Sequence, residues 1–207
     1  MSYNLCMILL KDILKEGNPK LNKVSIDVKL PLSKLVIKKL HEMRKYLLLS
    51  QDPNLCEKYK LRAGVGLSAP QIGLNLRFFV LELLDYDKIP YSFGVINPVI
   101  TKKSKEIIYI PNGEGCLSVE AASKGLTPRY ESIVWSGYLY DFVKNEIYPV
   151  TMHLSGYVSI CFQHEFDHLN GVLFTSKEFT SLPNAKMFLE ITKYSCLNEE
   201  NKKVYGE

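Results

Sequence analysis

The chain has 207 residues, 46% of them apolar, and a formal net charge of +4. That length suits one substantial domain, read here as spanning 1–207, and the apolar content excludes a disordered chain. The mild positive balance suits solubility and weak attraction to an anionic partner; it does not point to DNA.

The opening MSYNLCMILLKD carries a short apolar run with no basic segment before it, and Lys11 and Asp12 end it early, so no signal peptide is expected. No apolar stretch approaches the roughly 18 residues of a membrane helix. The cysteines (Cys6, Cys56, Cys116, Cys161 and Cys196) are odd in number, widely spaced and without a CxxC pair. Reduced thiols in a cytoplasmic protein fit that usage better than a disulfide framework.

Residues 33–51 predict the first long helix. Val36, Leu40, Met43 and Leu47 form one apolar stripe, Ser33 is its N-cap, and Asp52-Pro53 stops it. Cys56 then falls in a polar loop. From Arg77 onward the runs RFFVLEL, FGVINPVI, EIIYIP, ESIVWSGYLYDF and EIYPVTMHL are β-branched and aromatic. Turn signals at Asp85-Tyr86-Asp87, Pro111-Asn112-Gly113 and Lys144-Asn145 separate them, and the short connections favour antiparallel pairing.

SGYVSICFQHEFDHLNG follows, a helix that Ser155 can cap and Gly171 can end in a left-handed turn. Val158, Cys161, Phe162 and Leu169 share one face; Tyr157, Ile160, His164 and His168 share its neighbour. A helix this apolar belongs inside the molecule. The expected class is therefore α+β, with mostly antiparallel sheets wrapped around a central buried helix, plus an N-terminal helix. A shorter helix is expected around Ala185–Lys193, and a polar tail from about residue 197.

His164 and His168, four apart, stack on one helix face and can aim two imidazoles at one cation. Glu165 lies about 100° further round, placed to act as general base rather than as ligand. A catalytic metal needs a third protein ligand and an open position. The HExxHxxGxxH solution fails here because its last position holds Phe174. Glu190 is a second option, in a context (MFLEITK) unlike the usual one. His41 and His153 have nothing convergent around them. Cys116, in the glycine-flanked GEGCLSV, is the third option, since glycines there allow close approach of the backbone.

Three stretches together resemble the peptide deformylase family, whose motifs in order are GxGLAAPQ, EGCLS and HExDH. Here they read GVGLSAPQ (Gly64 to Gln71), EGCLS (Glu114 to Ser118) and HEFDH (His164 to His168), and DILKEGNPKL resembles the family's opening segment. The likeness covers nearly the whole chain and is closest to the branch common in Gram-positive bacteria. Ser68 stands where alanine is usual, a small change.

The resemblance implies removal of the formyl group from the N-terminal formyl-methionine of newly made polypeptides. It implies Cys116, His164 and His168 as metal ligands and Glu165 as the acid/base residue. Gln71 and the Leu117 N–H match donors to the formyl oxygen, and Val65, Gly66, Gly115, Ile160 and Cys161 match substrate contacts. It also implies one divalent ion, iron(II) in the cell; the donor set alone equally suits zinc, nickel or cobalt. Asp167 is either solvated or paired with Arg129 as a brace for the ligand helix. Partners follow as nascent formyl-methionyl peptides with transient ribosome proximity, for a cytoplasmic monomer that binds neither DNA nor membrane. The competing readings are a zinc endopeptidase using Glu190 and an inactive relative that only binds nascent chains or ribosomes.

Overall fold

The computed structural model describes residues 7–85, 88–120 and 125–188. Helix α1 (Lys34–Gln51) starts where the Ser33 hydroxyl accepts a hydrogen bond from the Val36 N–H at 3.3 Å. Its predicted stripe is buried, with Val36, Leu40, Met43 and Leu47 at most 4% exposed. Asp52 ends α1 and caps the short α2 (Pro53–Lys58), accepting from the Leu55 N–H at 3.0 Å. Cys56, expected in a loop, is therefore helical: Pro53 cannot continue α1 but suits a first helical turn.

Seven strands precede the buried helix: β1 (Gly66–Ser68), β2 (Phe78–Leu84), β3 (Pro90–Lys103), β4 (Ile107–Tyr109), β5 (Arg129–Tyr130), β6 (Ser132–Asp141) and β7 (Glu146–Ser155). Strand β7 runs straight into α3 (Gly156–Leu169), and β8 (Lys186–Met187) comes last. The large sheet is antiparallel throughout, in the order β1-β2-β3-β6-β7; the small one has the order β5-β4-β8. Among the described strands, only the β4–β8 pair is parallel. The fold is α+β, and all five predicted apolar runs contribute a strand.

Alternation along β2 explains why RFFVLEL is apolar without interruption. Phe78 and Val80 pack with Leu40, Met43 and Leu47 of α1, whereas Phe79 and Leu81 pack with Val158, Phe162 and Leu169 of α3. Successive side chains point to opposite faces, so a sheet covered on both sides needs apolar residues at every position. On its other flank α3 meets the small sheet, where Ile160 packs with Ile108 and Phe188. Trp135 lies 5.0 Å from Phe162, ring centre to ring centre, closing the core beneath the ligand helix.

Two further expectations are corrected. Ser155 holds the N-cap position of α3, but its side chain makes no capping bond. Instead the first helical N–H, that of Gly156, donates to the Glu131 carbonyl at 2.9 Å, because the helix grows out of a paired strand. Of the helix expected over 185–193, Lys186 and Met187 are strand instead, pairing with Ile108 and Tyr109, and Phe188 is helical. The unpaired edge of β4 recruits that segment, and sheet context overrides local preference. Residues from 189 onward, Glu190 and the tail from 197 included, lie outside the described residues.

Gly171 does end the helix left-handed, at φ +72°, and a Cβ there would stand 2.6 Å from the Asn22 backbone. The chain passes that point closely because the Ser25 N–H donates to the Leu169 carbonyl at 2.8 Å.

Candidate metal centre and cleft

Helix α3 carries two of the candidate ligands one turn apart, and the bend after β4 brings the third. The ligand atoms of Cys116, His164 and His168 all lie within 4.8 Å of one another, and all three residues are buried. Cys116 Sγ stands 3.3 Å from His168 Nε2. Bonds of about 2.3 Å to sulfur and 2.0–2.1 Å to nitrogen would set tetrahedral ligands about 3.5 Å apart, so the trio fits one ion.

The bend itself is tied down: the Val119 N–H donates to the Cys116 carbonyl at 3.1 Å and the Ser118 N–H to Cys116 Sγ at 3.4 Å. Phe174, which occupies the third-histidine position of the longer motif, packs against the His164 ring at 5.6 Å and walls the site instead. His41 and His153 lie in α1 and β7, outside the cluster.

A charged frame surrounds the ligands. The His164 Nδ1 lies 2.7 Å from a Glu114 carboxylate oxygen, which leaves Nε2 for a metal. Arg129 donates to both oxygens of Glu114, at 2.7 and 2.8 Å, and to Asp167 at 2.5 Å. Lys177 completes the frame, donating to Asp167 at 2.7 Å. Burial alone would raise the Glu114 carboxyl, but the Arg129 guanidinium outweighs it and holds the group at about 2. For His164, burial acts downward, yet contacts with Cys116 and Glu114 lift it well above the ordinary histidine value. Burial, with the charges of His164 and Arg129, depresses His168 well below the ordinary histidine value, favouring the neutral imidazole that a metal would need.

Glu165 sits beside this cluster with one carboxylate oxygen buried and unpartnered among the described residues. Burial pushes it up to about 7, against the pull of the His164 charge and of the Ser68 hydroxyl. A carboxylate poised near neutrality suits proton transfer in both directions. It has room because Gly66 lacks a side chain: a Cβ there would stand 2.4 Å from Glu165 Oε1.

Gln71 lies in the single turn Ala69–Ile72 that follows β1. Its Nε2 points to Ser118 Oγ at 3.2 Å and Cys116 Sγ at 3.5 Å. A cleft of about 280 Å³ opens beside these groups, and Val65, Gly66, Gly115, Leu117, Ile160 and Cys161 all line it. Burial raises the Cys161 thiol far above its ordinary value, so it lines the wall as an uncharged group.

The sequence reading assigned no role to Glu114, although it quoted that residue within EGCLS. The signal was available in general form: a metal-binding histidine normally donates its second ring nitrogen to a carboxylate or carbonyl, and Glu114 is the acid nearest Cys116 in sequence. Ser118, Ile110 and Tyr157, all at or near the cleft, were not singled out as site residues.

Comparison with known proteins places this geometry. Residues 10–182 match the family model described as polypeptide deformylase. The peptide deformylase of Shouchella clausii is 45% identical over 168 residues, covering 81% of this chain and 89% of the relative. That of Oceanobacillus iheyensis is 41% identical over 177 residues, covering 86% and 94%. Among solved structures, the crystal structure of peptide deformylase from Thermotoga maritima is similar with a TM-score of 0.60 and 32% identity, covering 81% of this chain and 96% of that one.

Proposed function

Because the chain belongs to the polypeptide deformylase family, we infer that it hydrolyses the formyl group from the N-terminal formyl-methionine of newly made polypeptides. The observation that carries this reading is the meeting of Cys116, His164 and His168 beside a buried glutamate poised near neutrality. Neither alternative has support: the relatives at 40–45% identity are peptide deformylases, and the endopeptidase reading needs Glu190 where a thiol already stands.

We assign Cys116, His164 and His168 as ligands of one divalent ion, iron(II) in the cell, with zinc, nickel or cobalt able to take its place in purified protein. Bound there, such an ion supplies Lewis acidity, easing the loss of a proton from water and polarising the formyl carbonyl.

The remaining chemistry belongs to the protein's own groups. Glu165 accepts the proton as the water oxygen joins the formyl carbon. It then hands that proton to the departing amine as the C–N bond breaks, releasing formate and a free N-terminus. Positioned proton transfer of this kind contributes roughly 10²–10⁴-fold. Gln71 Nε2 and the Leu117 N–H donate to the oxygen that gains charge, where losing one donor costs on the order of 10²–10³ in rate.

Gly66 opens β1, an edge strand of the large sheet, and Val65 immediately precedes it; an extended peptide can run beside such an edge. Gly115, Ile160 and Cys161 wall the slot for the methionine side chain. Glu114 and Arg129, with Asp167, orient His164 and the helix that carries it.

No helix among the described residues is long and apolar enough to cross a membrane. We assign the enzyme to the cytoplasm, acting as a monomer of one catalytic domain on chains emerging from the ribosome. The test is formate release from a formyl-methionyl tripeptide by metal-loaded protein, with the acetyl analogue as control. Turnover of the formyl peptide alone is expected; a fully loaded protein that releases no formate would overturn the function.

A further inference from the structure

Gln71 can serve as a donor to the reacting oxygen only if its amide presents nitrogen to the site. The two ends of a side-chain amide have nearly the same shape, so packing cannot choose between them. Hydrogen bonds must make the choice, and here they come from residue 68. Gln71 Oε1 accepts from the Ser68 backbone N–H at 2.8 Å and from the Ser68 hydroxyl at 2.9 Å. On the other side, Gln71 Nε2 reaches the Ser118 hydroxyl oxygen at 3.2 Å. Ser68 and Ser118 are wholly buried and Gln71 is 1% exposed, so water offers no replacement for a lost partner.

A flipped amide would put its NH₂ against the Ser68 N–H, two donors facing each other. The backbone bond alone opposes that flip, and the hydroxyl adds a second donor to the same oxygen. Its proton also polarises the amide, since bonds chained as O–H to C=O through to N–H strengthen one another.

We propose that the Ser68 hydroxyl is a positioning residue that orients and polarises the Gln71 amide for the developing negative charge on the formyl oxygen. The proposal rests on the deformylase reading and on Gln71 as donor. It gives a role to the one position of GVGLSAPQ that departs from the usual alanine. With its single proton given to Gln71 Oε1, the Ser68 hydroxyl acts by way of the amide; it also lies close to Glu165, and an effect by that second route would survive the loss of Gln71.

The experiment is a double-mutant cycle on the metal-loaded protein, reading formate release, metal content and melting temperature. Ser68→Ala is expected to lower kcat about 5- to 10-fold, the worth of one buried hydrogen bond, with KM changed by less than about twofold and metal content unchanged. Gln71→Ala is expected to lower kcat by the order of 10²–10³. In that background Ser68→Ala should have no further effect, because the group it orients is gone. A kcat within twofold of wild type in Ser68→Ala overturns the proposal, as does an equal loss in both backgrounds. Wild-type protein that releases no formate would instead strike the deformylase reading itself, so the two failures are told apart.

Discussion

Gly66→Ala tests the role proposed for Glu165 as general base from an unexpected side. Gly66 is buried in β1 and pairs with Leu81 of β2. A Cβ there would lie 2.4 Å from Glu165 Oε1 and 2.8 Å from both Glu165 Cδ and Cγ. Ordinary contact begins near 3.4 Å, so about 1 Å must be found. Strand β1 is laced to β2 along its whole length, while the carboxyl is the free end of a side chain, so the carboxyl moves.

Displacement of a catalytic group by about 1 Å costs on the order of 10²-fold in rate. The crowding itself should cost about 1–3 kcal/mol of stability. The three atoms nearest the added methyl all belong to Glu165, so metal loading should stay stoichiometric. The assay is kcat for a formyl-methionyl tripeptide, beside metal analysis and a urea unfolding curve. A variant that keeps kcat within threefold would refute the argument by showing that the backbone yields; loss of metal would refute it by showing that the ligand frame collapses first.

Other expectations follow from the same geometry. Glu165→Gln should bind metal as wild type does yet lose roughly 10²–10⁴ in kcat, and loss of metal in that variant would mean the residue is a ligand. Cys116→Ala should fail to hold metal at full stoichiometry after gel filtration; retention would return the endopeptidase reading. Arg129→Met leaves Glu114 buried without its cation and should cost about 3–5 kcal/mol in denaturant unfolding, an effect absent if the pair were solvated.

For acid stability, Glu114 is held at about 2, below the ordinary carboxylate value of 4.5. Its contribution is therefore whole above about 4.5 and is lost as the pH falls toward 2. Glu114→Gln should flatten that limb of the unfolding profile of the metal-free protein.

The helix that carries the histidines was legible because its information is local. His164 and His168 are neighbours by the 3.6-residue period alone, and Gly171 at its end is the residue a left-handed turn favours. The long strands were legible for a similar reason, since each carries enough β-branched and aromatic residues to declare itself. Strands β1, β5 and β8 are two or three residues long and have no pattern of their own. They exist because a neighbouring edge offers unpaired backbone groups, and that neighbour is distant in sequence.

The site divides the same way. Motif and chemistry narrowed the third ligand to a few candidates, and likeness to a family chose among them. But a thiol 48 and 52 positions before its partners reaches them only through the path of the folded chain. The carboxylate behind His164, the arginine that joins it to Asp167, and the space Gly66 leaves for a glutamate 99 positions later are facts of contact. Local sequence sets which conformations each segment prefers; which side chains then share a dry cavity, and so which charges and hydrogen bonds count, was decided by tertiary packing alone.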